Sequence, residues 1–416
     1  MGAVVKRLKF CTAVMLGLVM TAVAAHAGKN SADDGPQWPN VAFDDGPRWP
    51  NVRLDDPRPN PKPAFVDPQQ NDDRPMERKR TAPAPVNATI KPAREPEPVS
   101  ERSGYDANAS VAARWPAPQP ERQPPRFMFE GGVRYWYSTG NMRFGFTNGD
   151  PAFGKPTSTL DWYGLTAHSG EVFARVDHIP SGVFVKGVVG AGSVADGHID
   201  DRDFFASQFK FSDTSSDVTG GNLSFAMFDI GWAYTPTADM RLGFFVGYHY
   251  WREKVAANGI VCNVVSLQLG CPAVNAVPIG FDTAVFNYQP TWHAVRIGAE
   301  SKYMVTSRWS VSGEIAVVPY AVVENKDSHL LRQDFSDLGP APNVISRSKY
   351  AYGVEAELFV NYAVTPNVEV GGGLRYWGLG SHSGGVNFGP SFAVTDALLK
   401  FDQERYGVLL QAKGRF

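Results

Sequence analysis

Cysteine is scarce in this chain, with three among 416 residues. Cys11 lies at the start of an N-terminal apolar stretch rather than after its small-residue end, so it does not mark a lipid-attachment site. That leaves Cys262 and Cys271, a close pair for which an oxidising envelope or cell-surface compartment favours a disulfide over a redox or zinc site. Charge imbalance is lacking too. A formal net charge of -2 removes any argument for a nucleic-acid partner. No long apolar run follows the N-terminal stretch, which excludes helical membrane spans. From Phe127 onward no amphipathic helix of useful length can be drawn.

What is present begins with an address. Lys6, Arg7 and Lys9 precede the apolar stretch Phe10 to Ala24, and Ala25-His26-Ala27 supplies the small residues that signal peptidase needs, so residues 1–27 read as a signal peptide. Residues 28–126 hold 20 of the 32 prolines, with scattered apolar residues and no sustained period. This stretch reads as a disordered, Pro-rich segment. Inside it Asp33 to Val41 is repeated as Asp44 to Val52, a unit too short for a solenoid.

Residues 127–416 have a different character, with short segments alternating apolar and polar residues between turn signals. Tyr350, Tyr352, Val354, Ala356, Leu358 and Val360 fall on one face of a strand, and Ala351, Gly353, Glu355 and Glu357 on the other. Alternation alone fits either a soluble sandwich or a membrane barrel, whose apolar face meets lipid. The signal peptide, the aromatic clusters (Tyr135-Trp136-Tyr137, Trp162-Tyr163, Tyr248 to Trp251, Tyr376-Trp377) and a last strand that alternates from Tyr406 to Phe416 favour the barrel. The last strand resembles the signal read by the outer-membrane barrel assembly machinery.

The fold class expected is therefore all-β, a ten-stranded antiparallel transmembrane β-barrel. Its strands are placed at 128–146, 158–177, 183–195, 221–235, 240–256, 284–304, 308–323, 347–363, 367–380 and 402–416. Tight turns then alternate with long connections at 147–157, 196–220, 257–283, 324–346 and 381–401, as periplasmic turns and extracellular loops do. Both termini and the Pro-rich segment would face the periplasm. Lumen-facing Arg296, Glu300, Glu355 and Glu357 read as a salt-bridge network in a barrel too narrow for a channel.

Two of the long connections carry clustered ionisable residues. One holds His198, Asp200, Asp201, Arg202 and Asp203; the other holds Asp327-Ser328-His329. Strand parity puts both at one mouth, as a site assembled across a rim requires. Asp327 would fix the tautomer of His329, which would deprotonate a water. Asp201 and Asp203, as close carboxylates sharing a proton, would hold that water or assist the tetrahedral intermediate. The bland alternatives are solvated loop acids, or a divalent-cation site that includes His198.

Asp201-Arg202-Asp203-Phe204 and Asp327-Ser328-His329, in that order and on those strands, resemble the omptin family of outer-membrane aspartyl proteases. Similarity extends through Leu160-Asp161-Trp162, Gly231-Trp232, Ser346 to Lys349 and Tyr362 to Asn367, and covers 127–416. The resemblance implies an endopeptidase whose catalytic residues are Asp201, Asp203, Asp327 and His329. It also implies peptide or protein substrates outside the cell and dependence on lipopolysaccharide. Family members cut beside basic residues received by an acid two positions before the Asp-x-His motif; Asn325 stands there in this chain. The competing reading is a non-catalytic barrel: an adhesin, a structural protein or a narrow pore.

Overall fold

The computed structural model describes residues 125–267 and 270–416. The signal peptide and the Pro-rich segment lie outside the described residues. In chain order the strands are β1 (Phe127–Thr147), β2 (Ser158–His178), β3 (Val183–Phe205), β4 (Phe209–Thr237), β5 (Met240–Cys262), β6 (Ile279–Met304), β7 (Trp309–His329), β8 (Val344–Thr365), β9 (Val368–Ser381), β10 (Gly385–Phe388) and β11 (Thr395–Arg415). Each pairs antiparallel with its neighbours, and β1 closes on β11. Both β9 and the four-residue β10 pair with β8 on one side and β11 on the other. They form one stave interrupted at 382–384, so the barrel has ten staves.

The alternation that signalled strands also sets the two faces. Val133, Val172, Val189, Val246, Ile297 and Leu410 point outward and stay exposed, as an apolar band against lipid requires. Inside, the end near the tight turns is lined with paired charged side chains. Arg296 bonds Glu314 (2.6 Å) and contacts Glu355 (3.2 Å); Lys186 bonds Glu300 (3.0 Å); Arg375 bonds Glu171 and Glu357. A cavity of about 140 Å³ remains among them, and every Lys and Arg lining it is in an ion pair with Asp or Glu. Above it aromatic rings cross the lumen. Trp136 meets Trp377 at 4.7 Å, Phe225 meets Trp377 at 5.0 Å, and Trp292 meets Phe401 at 5.6 Å. This plug separates the ionic layer from the far mouth.

At that far mouth the strands run on past the apolar band. The segment expected to be a loop at 196–220 is a β3–β4 hairpin turning at 206–208, and the first six residues of the loop expected at 324–346 belong to β7. Asp201, Asp203, Asp327 and His329 therefore sit on strands, not in loops. The reason is hydrogen bonding: the register continues from His198↔Asp217 to Phe205↔Phe209, satisfying backbone groups without any apolar face for the sequence to reveal. Cys262 and Cys271 are disulfide-bonded with a Cα–Cα distance of 5.7 Å, closing part of the β5–β6 loop.

Candidate active site

A strand's side chains alternate, so a one-residue slip moves every later residue to the opposite face. Along β3 the even-numbered Phe184 and Val194 are buried in the lumen. Unbroken, that phase would turn Asp201 and Asp203 outward. Between Ala167↔Val194 and Thr166↔Asp196, however, one step on β2 spans two on β3, a bulge at Ala195. Beyond it the odd-numbered Ile199 is buried, and Asp201 and Asp203 follow it inward. The same device recurs on β7. Ser310, Ala316 and Val318 face inward, then two steps along β6 (Val295 to Ile297) oppose three along β7 (Val317 to Tyr320), and Ala321, Val323, Asn325 and Asp327 take over. Two bulges thus aim all four predicted residues into one mouth.

On β7, His329 Nε2 lies 3.3 Å from Asp327 Oδ2, and the imidazole packs edge-on to Phe286 at 5.1 Å. Burial disfavours the imidazolium, but Asp327 beside it overrides that and raises the His329 pKa. On β3, burial pushes the Asp201 carboxyl up to about 7, and the like charge of Asp203 adds to it. Burial raises Asp203 as well, opposed by a hydrogen bond from Ser158 and by the charge of His329. His329 acts on both acids, and Asp327 acts on Asp201, so two walls far apart in sequence form one electrostatic unit. Groups this strongly linked exchange protons together rather than one by one.

The remaining clustered residues separate cleanly. Asp200 and Arg202 face the outer wall, where Arg202 bonds Asp200 and Asp161 (2.7 Å) and Ser215 bonds Asp200 (2.7 Å). Asp200 is thereby taken up outside the mouth, and the inward acids of β3 are Asp201 and Asp203. His198 bonds Asp217 at 2.9 Å on that outer wall, half exposed, and cannot share a cation with Asp201 and Asp203 on the inner one.

Three contributors had no sequence signal. Asn343, fully buried, accepts from the His329 N–H at 2.9 Å and donates to the His329 and Gly339 carbonyls, both at 3.1 Å. Its own carbonyl accepts from Gly389 at 2.8 Å, tying the β7–β8 loop to the β10–β11 turn. Arg332 feels both Asp201 and Asp203 while bonding Asp337 at 2.7 and 2.9 Å, which puts one held cation beside the acid pair. The third is Ser158. Asn and Ser in loops and strand starts are too common to single out without coordinates.

No family model and no curated protein matches the sequence. Among solved structures, the outer membrane protease OmpT from Escherichia coli is 15% identical, with 71% of this chain and 99% of that chain covered and a TM-score of 0.58. The Ralstonia pickettii toluene transporter TbuX (11% identical, 70% and 90% covered, TM-score 0.25) and a Pseudomonas aeruginosa FadL homologue (11%, 70% and 90%, 0.22) also match, but at those scores they carry no argument about this chain. The likeness to OmpT concerns shape alone. With the closed ten-stave sheet and its outward apolar band, it makes this chain an outer-membrane β-barrel.

Proposed function

We propose that this barrel is an omptin-like endopeptidase of the outer membrane, cutting peptides or proteins that lie across its mouth. The observation that carries the reading is the convergence of Asp201 and Asp203 from β3 with Asp327 and His329 from β7 in one electrostatic unit. Neutral His329, oriented by Asp327, takes a proton from water as that water attacks the scissile carbonyl. The proton held by Asp201 and Asp203 is positioned to pass to the developing oxyanion or the leaving amine. Cleaved peptide and consumed water balance without a covalent intermediate.

The mouth would face outward from the cell and the N-terminal segment the periplasm. Lipopolysaccharide would serve as an activating lipid, and the barrel assembly machinery would insert the chain. The aromatic plug and the paired ionic layer below it weigh against the alternative of a pore. The test is to refold the full chain with lipopolysaccharide and profile cleavage of a peptide library by mass spectrometry, alongside His329→Ala. Cleavage lost in the variant supports the reading. Equal cleavage in both, or none in either, would sink it.

A further inference from the structure

The peptidase chemistry creates a charge that the four site residues do not receive. As water adds to the scissile carbonyl, an electron pair of the C=O bond moves onto oxygen, which becomes an anion and needs donors aimed at it. Around it stand three carboxylates, Asp201, Asp203 and Asp327, and the imidazole that has just taken a proton. Main-chain amides beside His329 are already spent. The N–H of His329 donates to Asn343 Oδ1 (2.9 Å), that of Leu330 to the Val285 carbonyl (2.9 Å) and that of Arg332 to the His329 carbonyl (3.1 Å). Side chains are spent as well, since Ser158 serves Asp203 and Asn343 serves the His329 and Gly339 carbonyls.

The Arg332 side chain is not spent. The bond from its N–H to the His329 carbonyl closes a turn, so its guanidinium springs from the chain one turn beyond the imidazole. Nε and Nη2 donate to Asp337 (2.9 and 2.7 Å), which holds one edge of the planar fork. Nη1 makes no hydrogen bond among the described residues, and both of its N–H groups are available. The side chain is 53% exposed, so a bound peptide can reach it, and Asp337, 39% exposed, orients the fork without taking it out of water. Its place is fixed from across the mouth too. Asp201 and Asp203 on β3 and His329 on β7 all feel the Arg332 charge. A cation that acts on both walls stands beside the space between them, where the carbonyl must lie for His329 to activate its water.

We propose that Arg332 is a catalytic residue whose Nη1 donates to the scissile carbonyl oxygen as it becomes an oxyanion, with Asp337 as its positioning residue. The inference rests on the peptidase reading above and separates the roles of charge and proton. Arg332 keeps its protons throughout. When the tetrahedral intermediate collapses, the electron pair returns to re-form C=O, the C–N bond breaks, and the proton held by Asp201 and Asp203 goes to the leaving amine. A contact that strengthens as charge develops raises kcat with little effect on binding of the peptide itself. Shape matters beside charge, because a Lys ammonium has no second edge by which Asp337 could aim it.

The experiment uses the full chain refolded with lipopolysaccharide and a peptide that the wild-type protein cleaves. A second ligand is the same peptide with a phosphonate in place of the scissile amide, whose tetrahedral P–O⁻ stands in for the oxyanion. Arg332→Gln, Arg332→Lys and Asp337→Asn are each assayed at their own pH optimum, because the Arg332 charge also opposes protonation of His329 and its loss moves the profile to higher pH. We expect Arg332→Gln to lower kcat about 10²-fold, with KM little changed. Phosphonate inhibition should weaken by the same factor as kcat/KM. Arg332→Lys and Asp337→Asn should fall between Arg332→Gln and the wild type. In the His329→Ala background, binding of the unmodified peptide should be equal with and without Arg332→Gln. Full activity of Arg332→Gln at its optimum overturns the role and leaves the peptidase reading intact. A loss carried wholly by KM does the same, and so does a phosphonate affinity that fails to follow kcat/KM. No cleavage of any peptide by the wild-type protein overturns both.

Discussion

Replacing Asp201 with Asn should make the protein more stable at alkaline pH and much less active. The Asp201 carboxyl moves from 3.8 to about 7 in the fold, first through burial and then through Asp203. Between those values the folded chain holds a proton that the unfolded chain has released. Folding stability therefore falls as pH rises through that window, and the full cost is present above it. A shift of that size corresponds to about 4 kcal/mol. Asp201 keeps partial access to solvent, and screening reduces the expected effect to about 1–2 kcal/mol. Asn has the same shape and no charge, so Asp201→Asn should be more stable by that amount near pH 8 and indistinguishable near pH 4. Equilibrium urea unfolding of the refolded chain in lipid vesicles reads this directly. The same substitution should lower kcat/KM by on the order of 10²–10⁴, the usual contribution of a positioned proton donor. A variant that loses stability at alkaline pH, or shows the same pH dependence as the wild type, would refute the assignment of a raised, costly carboxyl.

Three further expectations follow from the geometry. Asp327→Asn removes the charge that raises His329, so the imidazole should titrate at lower pH by NMR, and kcat/KM should fall about 10²-fold or more; an unmoved His329 midpoint would contradict the pairing. Asn343→Ala deletes three side-chain hydrogen bonds that hold His329 and the β7–β8 loop, worth about 1 kcal/mol each. It should accelerate proteolysis of residues 330–343 and lower kcat while the barrel stays folded. Deleting Ala195 removes the β3 bulge and should turn Asp201 and Asp203 to the outer wall. A spin label at Ile199→Cys would then change from immobile to mobile, and an unchanged spectrum would show that the strand restores its phase elsewhere.

The membrane-spanning part of the fold was legible because lipid imposes alternation on every strand. The outward face from Tyr350 to Val360 and the inward Glu355 and Glu357 lie where the period of two put them. Beyond the apolar band that constraint ends, and both faces can be polar; residues 196–220 looked like a loop for this reason and are a strand hairpin. Bulges were illegible too. Nothing about Ala195 or Pro319-Tyr320 in isolation announces an extra residue, since a bulge is a property of two strands together. The candidate site could be found only through spacing within each strand, Asp201 with Asp203 and Asp327 with His329. Asn343 could not, because its role depends on the His329 and Gly339 backbone that the fold brings to it.

The bulges have an evolutionary consequence. Each wall of the mouth encodes two alternative linings, one per phase. In the present phase β3 offers Asp201 and Asp203, and β7 offers Asp327 and His329. The opposite phase would offer Asp200 with Arg202 and Glu324 with Lys326, two self-neutralising pairs in place of an acid cluster. A single inserted or deleted residue at either bulge would exchange one lining for the other while the lipid-facing staves below keep their register. Barrels of this kind can acquire or discard chemistry at the rim by an indel, with no new side chain required.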